Sequence, residues 1–367
     1  MLIEHLAFSG IPAAVLCTGI IFSKKKISES DRFLIFWLLV CSINIAYYLY
    51  SPFIPLFLQS LGFTLPVLST SALFLYVTSL TFNLTFKSAV ILRNILPYAA
   101  YNLLFVWVHV VDGKIHFNYG IPGFSSGNHS VLLGIITAPM AIVPVVYIVL
   151  CFTALKRYQR LLPEFYSFSE KINLNWLKYT LLSLIGLFIL IYGIIFISTR
   201  FNFISLNKTF TIVAAIQSIF LLVLVFFSIR QSLIIGYTVI PETDVNTLPK
   251  NSKPDEKLDE LAKQLLVFME DKKPYLTEEL SLYTLAKDLN ISTNLLSQII
   301  NQNLDTNFFK FINSYRIQEV KKMLKDPSFH HYSILGIAYE AGFNSKSTFN
   351  KIFKEETGMT PSEFRKS

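Results

Sequence analysis

Two short stretches near the C-terminal end of the chain carry polar side chains at positions that a helix would place on one outward face. The first set is uncharged and comprises Thr293, Asn294, Ser297, Gln298 and Asn301. The second set contains three lysines and comprises Lys346, Ser347, Asn350, Lys351 and Lys354. The amide of Asn or Gln both donates and accepts hydrogen bonds, and a lysine ammonium binds acceptor or anionic groups. The two sets therefore either recognise a hydrogen-bonding, anionic surface or simply solvate two helices.

The sequence shows no arrangement typical of a catalytic or metal site. It has no HExxH motif, and the spacing of its six histidines matches no ligand pattern. Cys17, Cys41 and Cys151 all lie in apolar runs, where small buried hydrophobic side chains are the expected interpretation. The apolar segments contain almost no ionisable residues that could form a proton relay. We therefore predict that the protein is not an enzyme and has no metal and no cofactor.

The helices that would position the polar sets follow one pattern twice, about fifty residues apart. Apolar residues at i, i+3, i+4, i+7 and i+9 predict one buried helix face followed by a turn. They are Leu282, Leu285, Ala286, Leu289 and Ile291, and then Ile334, Ile337, Ala338, Ala341 and Phe343. Asn290 and Gly342 follow the two helices, and these residue types most easily enter the left-handed conformation of a sharp turn. A second apolar stripe follows each turn, so each copy predicts a helix-turn-helix.

This region resembles the DNA-binding domain of the AraC/XylS transcription regulators. The resemblance rests on the run LYTLAKDLNISTNLLSQIIN, on Ala341–Gly342–Phe343, on Ser347–Thr348–Phe349, and on Gly358–Met359–Thr360–Pro361 with Phe364 and Arg365. It covers roughly residues 276–367 and no more. It implies a sequence-specific bacterial DNA-binding domain with two helix-turn-helix units joined by a linker helix. In such a unit the second helix enters the major groove, so the two polar sets would contact bases and phosphates.

The linker helix is expected to begin at Thr306 or Asn307 and to end at Asp326–Pro327, because the residue before a proline is pushed out of helix. Ser292 is the predicted N-cap of the first reading helix. The buried stripe of the linker helix is predicted as Phe308, Phe311, Ile312, Tyr315, Val320, Met323 and Leu324. Arg316 is predicted to be exposed, where it could reach the DNA backbone.

Most of the chain ahead of this region is apolar, and hydrophobic residues make up 53% of the whole. Seven stretches are long enough to cross a bilayer, which takes about 20 helical residues. We place them near Leu6–Phe22, Phe33–Ile54, Gly62–Leu84, Ile91–Val111, Val131–Leu155, Trp176–Ser198 and Phe210–Ile235. Interhelical hydrogen bonds are the expected role of their polar residues Asn44, Asn83, Asn102 and Gln217.

The charges of the connecting loops predict an orientation. Loops one, three and five carry eleven Lys and Arg, whereas loops two, four and six carry three. By the positive-inside rule the odd loops are cytoplasmic, so the N-terminus lies outside and the C-terminus inside. A cleaved signal peptide is the alternative for the first stretch, but its positive cluster follows the apolar run instead of preceding it.

The formal net charge of +8 comes from the apolar region, residues 1–235. Residues 1–235 hold 15 of the 32 Lys and Arg but only 6 of the 24 Asp and Glu, and residues 236–367 hold 17 and 18. Since the C-terminal region is close to neutral, the basic balance is not evidence for nucleic acid. The prediction of DNA binding depends on the motif alone.

Residues 236–254 are rich in Pro, Asn and Thr and predict a flexible linker. Residues 255–275 predict an amphipathic helical arm, with Asp255 as its N-cap. Its apolar stripe could dock on the helix-turn-helix domain or pair with a second copy of the chain in a short coiled coil. Docking is favoured because fewer than three heptads make a marginal coiled coil.

Together these features predict an all-α protein with a seven-helix transmembrane bundle at 1–235, the linker, the arm and a double helix-turn-helix domain at 276–367. The predicted function is a bacterial inner-membrane transcription regulator whose partners are promoter DNA, the lipid bilayer, an unidentified sensed ligand and a second copy of itself as a candidate. One alternative is a membrane transporter or enzyme that the C-terminal domain regulates. Another is an interaction scaffold in which the repeated unit contacts protein.

Overall fold

The computed structural model describes residues 2–82, 88–112, 115–118, 121–124, 130–170, 172–201, 204–232 and 256–367. The chain divides into two compact units. The N-terminal unit comprises Met1–Lys156 and Asn175–Val239, and the C-terminal unit comprises Arg157–Leu174 and Ile240–Ser367. We call Arg157–Leu174 the connecting segment. The sequence places it in the fifth loop of the transmembrane bundle, yet it packs with the C-terminal residues.

Eight α-helices of the N-terminal unit lie in the described part of the chain. They are α1 Leu2–Phe22, α2 Glu29–Tyr50, α3 Leu56–Phe63, α4 Leu65–Phe82, α5 Ser88–Asp112, α6 Ser130–Phe165, α7 Asn175–Phe201 and α8 Leu206–Ser232. The end of α6 crosses into the C-terminal unit. Seven of these helices, all but α3, are long and apolar enough to cross a membrane. The predicted all-α fold and the number of long apolar helices are confirmed.

A short hairpin follows α5 and was not predicted. Strands β1 Ile115–Asn118 and β2 Ile121–Phe124 pair in antiparallel fashion, with Ile115 opposite Phe124. They are the only strands in the described part of the chain. Strands of four residues are too short to give a periodic signal beside long apolar runs.

The polar residues of the apolar helices behave in two ways. Asn102 Nδ2 donates to Thr64 Oγ1 over 2.7 Å, the interhelical type of hydrogen bond that was predicted. Asn44 and Gln217 each keep one amide atom, Nδ2 and Oε1 respectively, buried without a hydrogen-bond partner among the described residues. Both line a cavity of about 50 Å³ between α2, α4, α7 and α8. Asn83 lies outside the described residues.

The described residues of the C-terminal unit contain seven further α-helices. They are α9 Glu256–Lys272, α10 Leu282–Asp288, α11 Thr293–Gln298, α12 Phe308–Lys325, α13 Ile334–Glu340, α14 Lys346–Thr357 and α15 Pro361–Lys366. A π-helical turn, Ile299–Asn303, continues α11. Side-chain caps begin six of these helices, at Ser281, Ser292, Asn307, Ser333, Ser345 and Thr360. Each cap satisfies a backbone N–H that the helix itself leaves without a partner.

The second helix-turn-helix packs on α12 through an aromatic core. Phe343, Phe349 and Phe353 are almost fully buried, and the ring centroids of Phe343 and Phe349 lie 5.3 Å apart. Val320 and Leu324 of α12 belong to the same cluster. This packing fixes α14 against the linker helix and leaves its opposite face outward.

The amphipathic arm forms α9 and docks within the C-terminal unit, in agreement with the favoured interpretation. Leu258, Ala262, Leu265 and Met269 are buried along one stripe. The linker at residues 236–254 and the predicted cap Asp255 lie outside the described residues.

Candidate nucleic-acid interface

Both predicted turns adopt the left-handed conformation. Asn290 has φ 57° between α10 and α11, and Gly342 has φ 90° between α13 and α14. Glycine is required at the second turn for a further reason, since a Cβ there would lie 2.5 Å from the carbonyl oxygen of Tyr275. These turns place α11 and α14 as the second helices of two helix-turn-helix units.

The side chains predicted to point outward from α14 are exposed. Its apolar residues Phe349, Ile352 and Phe353 are buried. The predicted outward residues Lys346, Ser347, Asn350, Lys351 and Lys354 are all exposed. Lys351 approaches Glu355 at 3.9 Å, an exposed ion pair that leaves its ammonium accessible to another anion. This face offers three cations and two hydrogen-bonding side chains to a ligand.

The reading face predicted on α11 is only partly accessible. Thr293, Asn294, Gln298 and Asn301 are half-buried. The predicted outward position of Ser297 is wrong, because its side chain is 3% exposed. The π-helical turn brings Asn301 back over it, so that Asn301 Nδ2 donates to Ser297 Oγ over 3.3 Å.

Arg316 of the linker helix is buried, so its predicted exposure is also wrong. It is 1% exposed, and its guanidinium lies 5.8 Å from the centre of the Phe343 ring. Backbone carbonyls satisfy its donors: Nε donates to Tyr275 O and Nη2 to Thr277 O, each over 2.7 Å. Burial lowers its pKa to about 10, which leaves it protonated at neutral pH.

The connecting segment is bound to the C-terminal unit at the guanidinium of Arg316. Ser167 is 1% exposed, and its carbonyl oxygen accepts from Arg316 Nη1 at 3.3 Å and from Asn313 Nδ2 at 3.1 Å. Its own N–H and hydroxyl both donate to the carbonyl oxygen of Leu280, at 3.2 and 2.7 Å. Tyr166 pairs with Ser281 as an isolated antiparallel bridge. Ser167 is thus a structural part of the C-terminal unit that sequence reasoning missed.

Two acidic side chains of the connecting segment contact the predicted reading positions. The carboxylate of Glu170 accepts hydrogen bonds from Ser347 and, over 3.0 Å, from Thr348 Oγ1. A hydrogen bond from Ser345, followed by that from Ser347, holds the pKa of Glu170 below its ordinary value. Glu164, the other acid, interacts with the side chain of Asn301.

The closing motif of the family resemblance has a structural explanation. Gly358 ends α14 with φ 73°, and Thr360 and Glu363 form a reciprocal capping box on α15. Arg365 donates to the carbonyl oxygens of Tyr332 and His330 over 2.9 and 2.6 Å. These residues close the domain and are not reading positions.

Signs of catalytic or metal chemistry are weak. Within the described ranges, no group of three or more His, Cys, Asp and Glu residues could hold a metal ion. Residues Gly123–Phe124–Ser125–Ser126–Gly127 match the GxSxG motif of a nucleophile turn. However, that turn joins a buried strand to a helix, whereas this run follows a four-residue hairpin strand, and its serines lie outside the described residues.

Comparison with known proteins supports the assignment of the C-terminal region. Residues 285–367 match the family model described as "Helix-turn-helix domain". A helix-turn-helix-type transcriptional regulator of Escherichia coli K12 is 26% identical over 137 residues, 37% of this chain and 45% of the relative. The melibiose operon regulatory protein of the same strain is 30% identical over 89 residues, 24% of this chain and 28% of that protein. The Msm operon regulatory protein of Streptococcus mutans is 32% identical over 82 residues, 22% of this chain and 28% of that protein.

The chain therefore spans less than half the length of these relatives, and no solved structure matches it. Within residues 285–367, the fold, the turns and the relatives agree on a helix-turn-helix domain of the kind found in transcription regulators. The C-terminal unit carries a helix-turn-helix domain of the AraC type, as the sequence resemblance implied.

Proposed function

We propose that the protein is a membrane-embedded bacterial transcription regulator that binds promoter DNA through two helix-turn-helix units and responds to a signal sensed by its N-terminal unit. The observation that carries the proposal is the AraC-type domain, with the exposed, lysine-bearing face of α14 at the position of a recognition helix. We propose no catalytic activity, which agrees with the regulators among its relatives.

The proposed membrane location rests on composition and on exposure. The seven long helices are apolar, and many of their large side chains point away from the protein, including Leu92, Leu103, Ile189 and Phe226, which are all more than 60% exposed. An exposed apolar surface of this extent suits lipid and would be costly in water. Together with the eleven-to-three distribution of loop charges, it supports an N-terminus outside and a C-terminal unit in the cytoplasm.

On DNA, α14 would read the major groove. Asn350 can bond adenine, and Lys346 and Lys351 can donate to guanine or to phosphate. Lys354, further along the helix, would contact phosphate. The amides of Asn294, Gln298 and Asn301, with Thr293, would form the contacts of α11, whereas the buried Ser297 would support Asn301.

The cavity between α2, α4, α7 and α8 supports a sensing role for the N-terminal unit. Asn44 contributes an unpaired donor and Gln217 an unpaired acceptor to it. A buried polar group without a partner costs about 1–3 kcal/mol, which a bound molecule could offset. No charged residue lines the cavity, so a small uncharged polar molecule fits it best.

Chromatin capture of the full-length protein from its own host tests the proposed function. We expect enrichment of a small set of promoter regions, and loss of that enrichment when Lys346 and Lys351 are both replaced by alanine. A chain that enriches no DNA but retains a protein partner would instead favour the scaffold alternative.

A further inference from the structure

We propose that the connecting segment competes with DNA for both reading helices, with the carboxylate of Glu170 occupying a site on α14 that a DNA phosphate takes in the bound state. The inference rests on the proposed function and adds to it a means of regulation. The conformation described here is then the DNA-free, self-blocked state.

The first argument is the chemistry of the site on α14. Ser345, Ser347 and Thr348 surround the first turn of this 12-residue helix and present hydroxyl groups beside the backbone N–H groups of the helix N-terminus. Such a helix N-terminus stabilises an anion through its dipole and its orphan donors. Hydroxyls, backbone amides and helix N-termini are also the groups that contact DNA phosphates. The structure places an anion from a distant part of the chain at this site, namely Glu170.

The second argument is that the same segment also reaches the C-terminal end of the first reading face, at Asn301. The connecting segment contains two acidic residues, Glu164 and Glu170. Glu164 contacts Asn301, and Glu170 contacts Ser347. One short segment therefore sets a carboxylate on each of the two faces expected to meet polyanionic DNA. A carboxylate in either position would repel a phosphate, so the connecting segment and DNA cannot occupy these faces at the same time.

The third argument is that different residues attach the connecting segment and block α14. Ser167 is buried and anchored by Arg316, Asn313 and Leu280. Glu170 lies three residues further on, in an exposed turn. A small displacement of this turn would free α14 while the anchor stays in place. Because the segment is continuous with α6, a shift of that helix is a direct route to such a displacement.

The test uses the full-length chain in lipid nanodiscs and a pool of random-sequence duplexes of about four helical turns, or ~42 base pairs. Replacing Glu170 by glutamine keeps the shape of the side chain and removes its charge. We expect DNA affinity to rise about threefold to tenfold, the range for loss of an exposed charged hydrogen bond. Glu356→Gln is the matched control, since it removes the same charge from the exposed last turns of α14.

The outcomes are distinct. Equal affinities of the wild type and Glu170→Gln would overturn the inference and leave the proposed function intact. An equal gain from Glu356→Gln would reduce the effect to net charge and would also overturn it. If none of the three proteins binds DNA, and chromatin capture recovers none, the proposed function itself fails and the inference fails with it.

A second measurement locates the turn directly. Glu170→Cys combined with Ser347→Cys should cross-link with a short bis-maleimide in the absence of DNA, and saturating DNA should lower the yield. The native Cys17 and Cys151 are buried and should react slowly, and the half-buried Cys41 is first replaced by alanine. A yield that bound DNA does not change would mean that the segment stays on α14 in the complex, contrary to the proposal.

Discussion

A buried arginine whose guanidinium is held by backbone carbonyls organises the C-terminal unit. Arg316 draws together the short 3-10 helix Pro274–Leu276 with the following Thr277, the connecting segment at Ser167, and the ring of Phe343. The carbonyl dipoles of several residues replace the water that its charge loses on burial. The residue therefore acts in folding, although its type and its place on a helix near DNA-reading positions first indicated a phosphate contact.

Arg316→Met should be strongly destabilising, because the carbonyl oxygen of Tyr275 would be left buried without this donor and that of Thr277 would lose its partner. We expect the free energy of unfolding of the C-terminal unit to fall by about 3 kcal/mol or more. Pulse proteolysis of the detergent-solubilised full chain in urea would measure it. Lys322→Met on the same helix is the control, since Lys322 is exposed. Similar losses from both variants would refute the role given to Arg316.

The exposed lysines of α14 should act in the opposite manner, on binding and not on stability. Replacing Lys346 and Lys351 by alanine should weaken DNA binding and lower the log–log salt slope by about one unit for each lost phosphate contact. A salt titration of DNA binding by fluorescence anisotropy would show it. The exposed Lys263 and Lys272 of α9, replaced together, remove the same charge away from the reading face. An unchanged slope in the α14 variant would exclude this helix from the interface.

At the scale of elements, local rules predicted most of the C-terminal unit. Ser292 and Asn307 cap their helices as expected, and Asn290 and Gly342 are left-handed. Such features depend on a few adjacent residues, so the sequence alone contains them. The burial of Ser297 and Arg316 depends on partners far along the chain and on a π-helical turn, for which no local pattern exists. Glu170 was missed for the same reason, because a carboxylate in a loop gives no sign of the helix that it caps.

Gly342 and Gly358 are both left-handed, so replacing each by alanine compares the stability lost to backbone strain with that lost to a tertiary clash. Gly342→Ala should lower the free energy of unfolding by about 3 kcal/mol, since it adds backbone strain and pushes against the Tyr275 carbonyl that Arg316 also binds. Gly358→Ala carries the strain alone, because its Cβ would meet open space, and should cost about 1 kcal/mol. Pulse proteolysis of both variants in urea would measure the two losses in the free energy of unfolding. Equal costs would show that the contact with Tyr275 is unimportant.

At the scale of the whole molecule, the distribution of loop charge predicts a membrane topology, which reporter fusions can check. Fusions on the predicted outer side should report an external location; they are placed after Phe57, Gly123 and Asn202. Fusions on the predicted inner side should report the cytoplasm; they are placed after Ser28, Ser88, Ser167 and Asn251. Paired phosphatase and fluorescent-protein reporters give opposite signals and control for expression. A cytoplasmic signal after Gly123 would contradict the seven-span topology.

The assembly of the C-terminal unit from two separate stretches of chain determines what a protease could achieve. A cut between α8 and α9 would leave Arg157–Leu174 covalently joined to α6 and α7, while Ser167 remains bound to Arg316, Asn313 and Leu280. The two fragments should therefore co-purify after cleavage at an engineered site near Asn251 and separate only in denaturant. If they separate in native buffer, Ser167 is not an effective anchor. If they stay together, cleavage of the linker alone cannot turn this regulator into a freely diffusing factor.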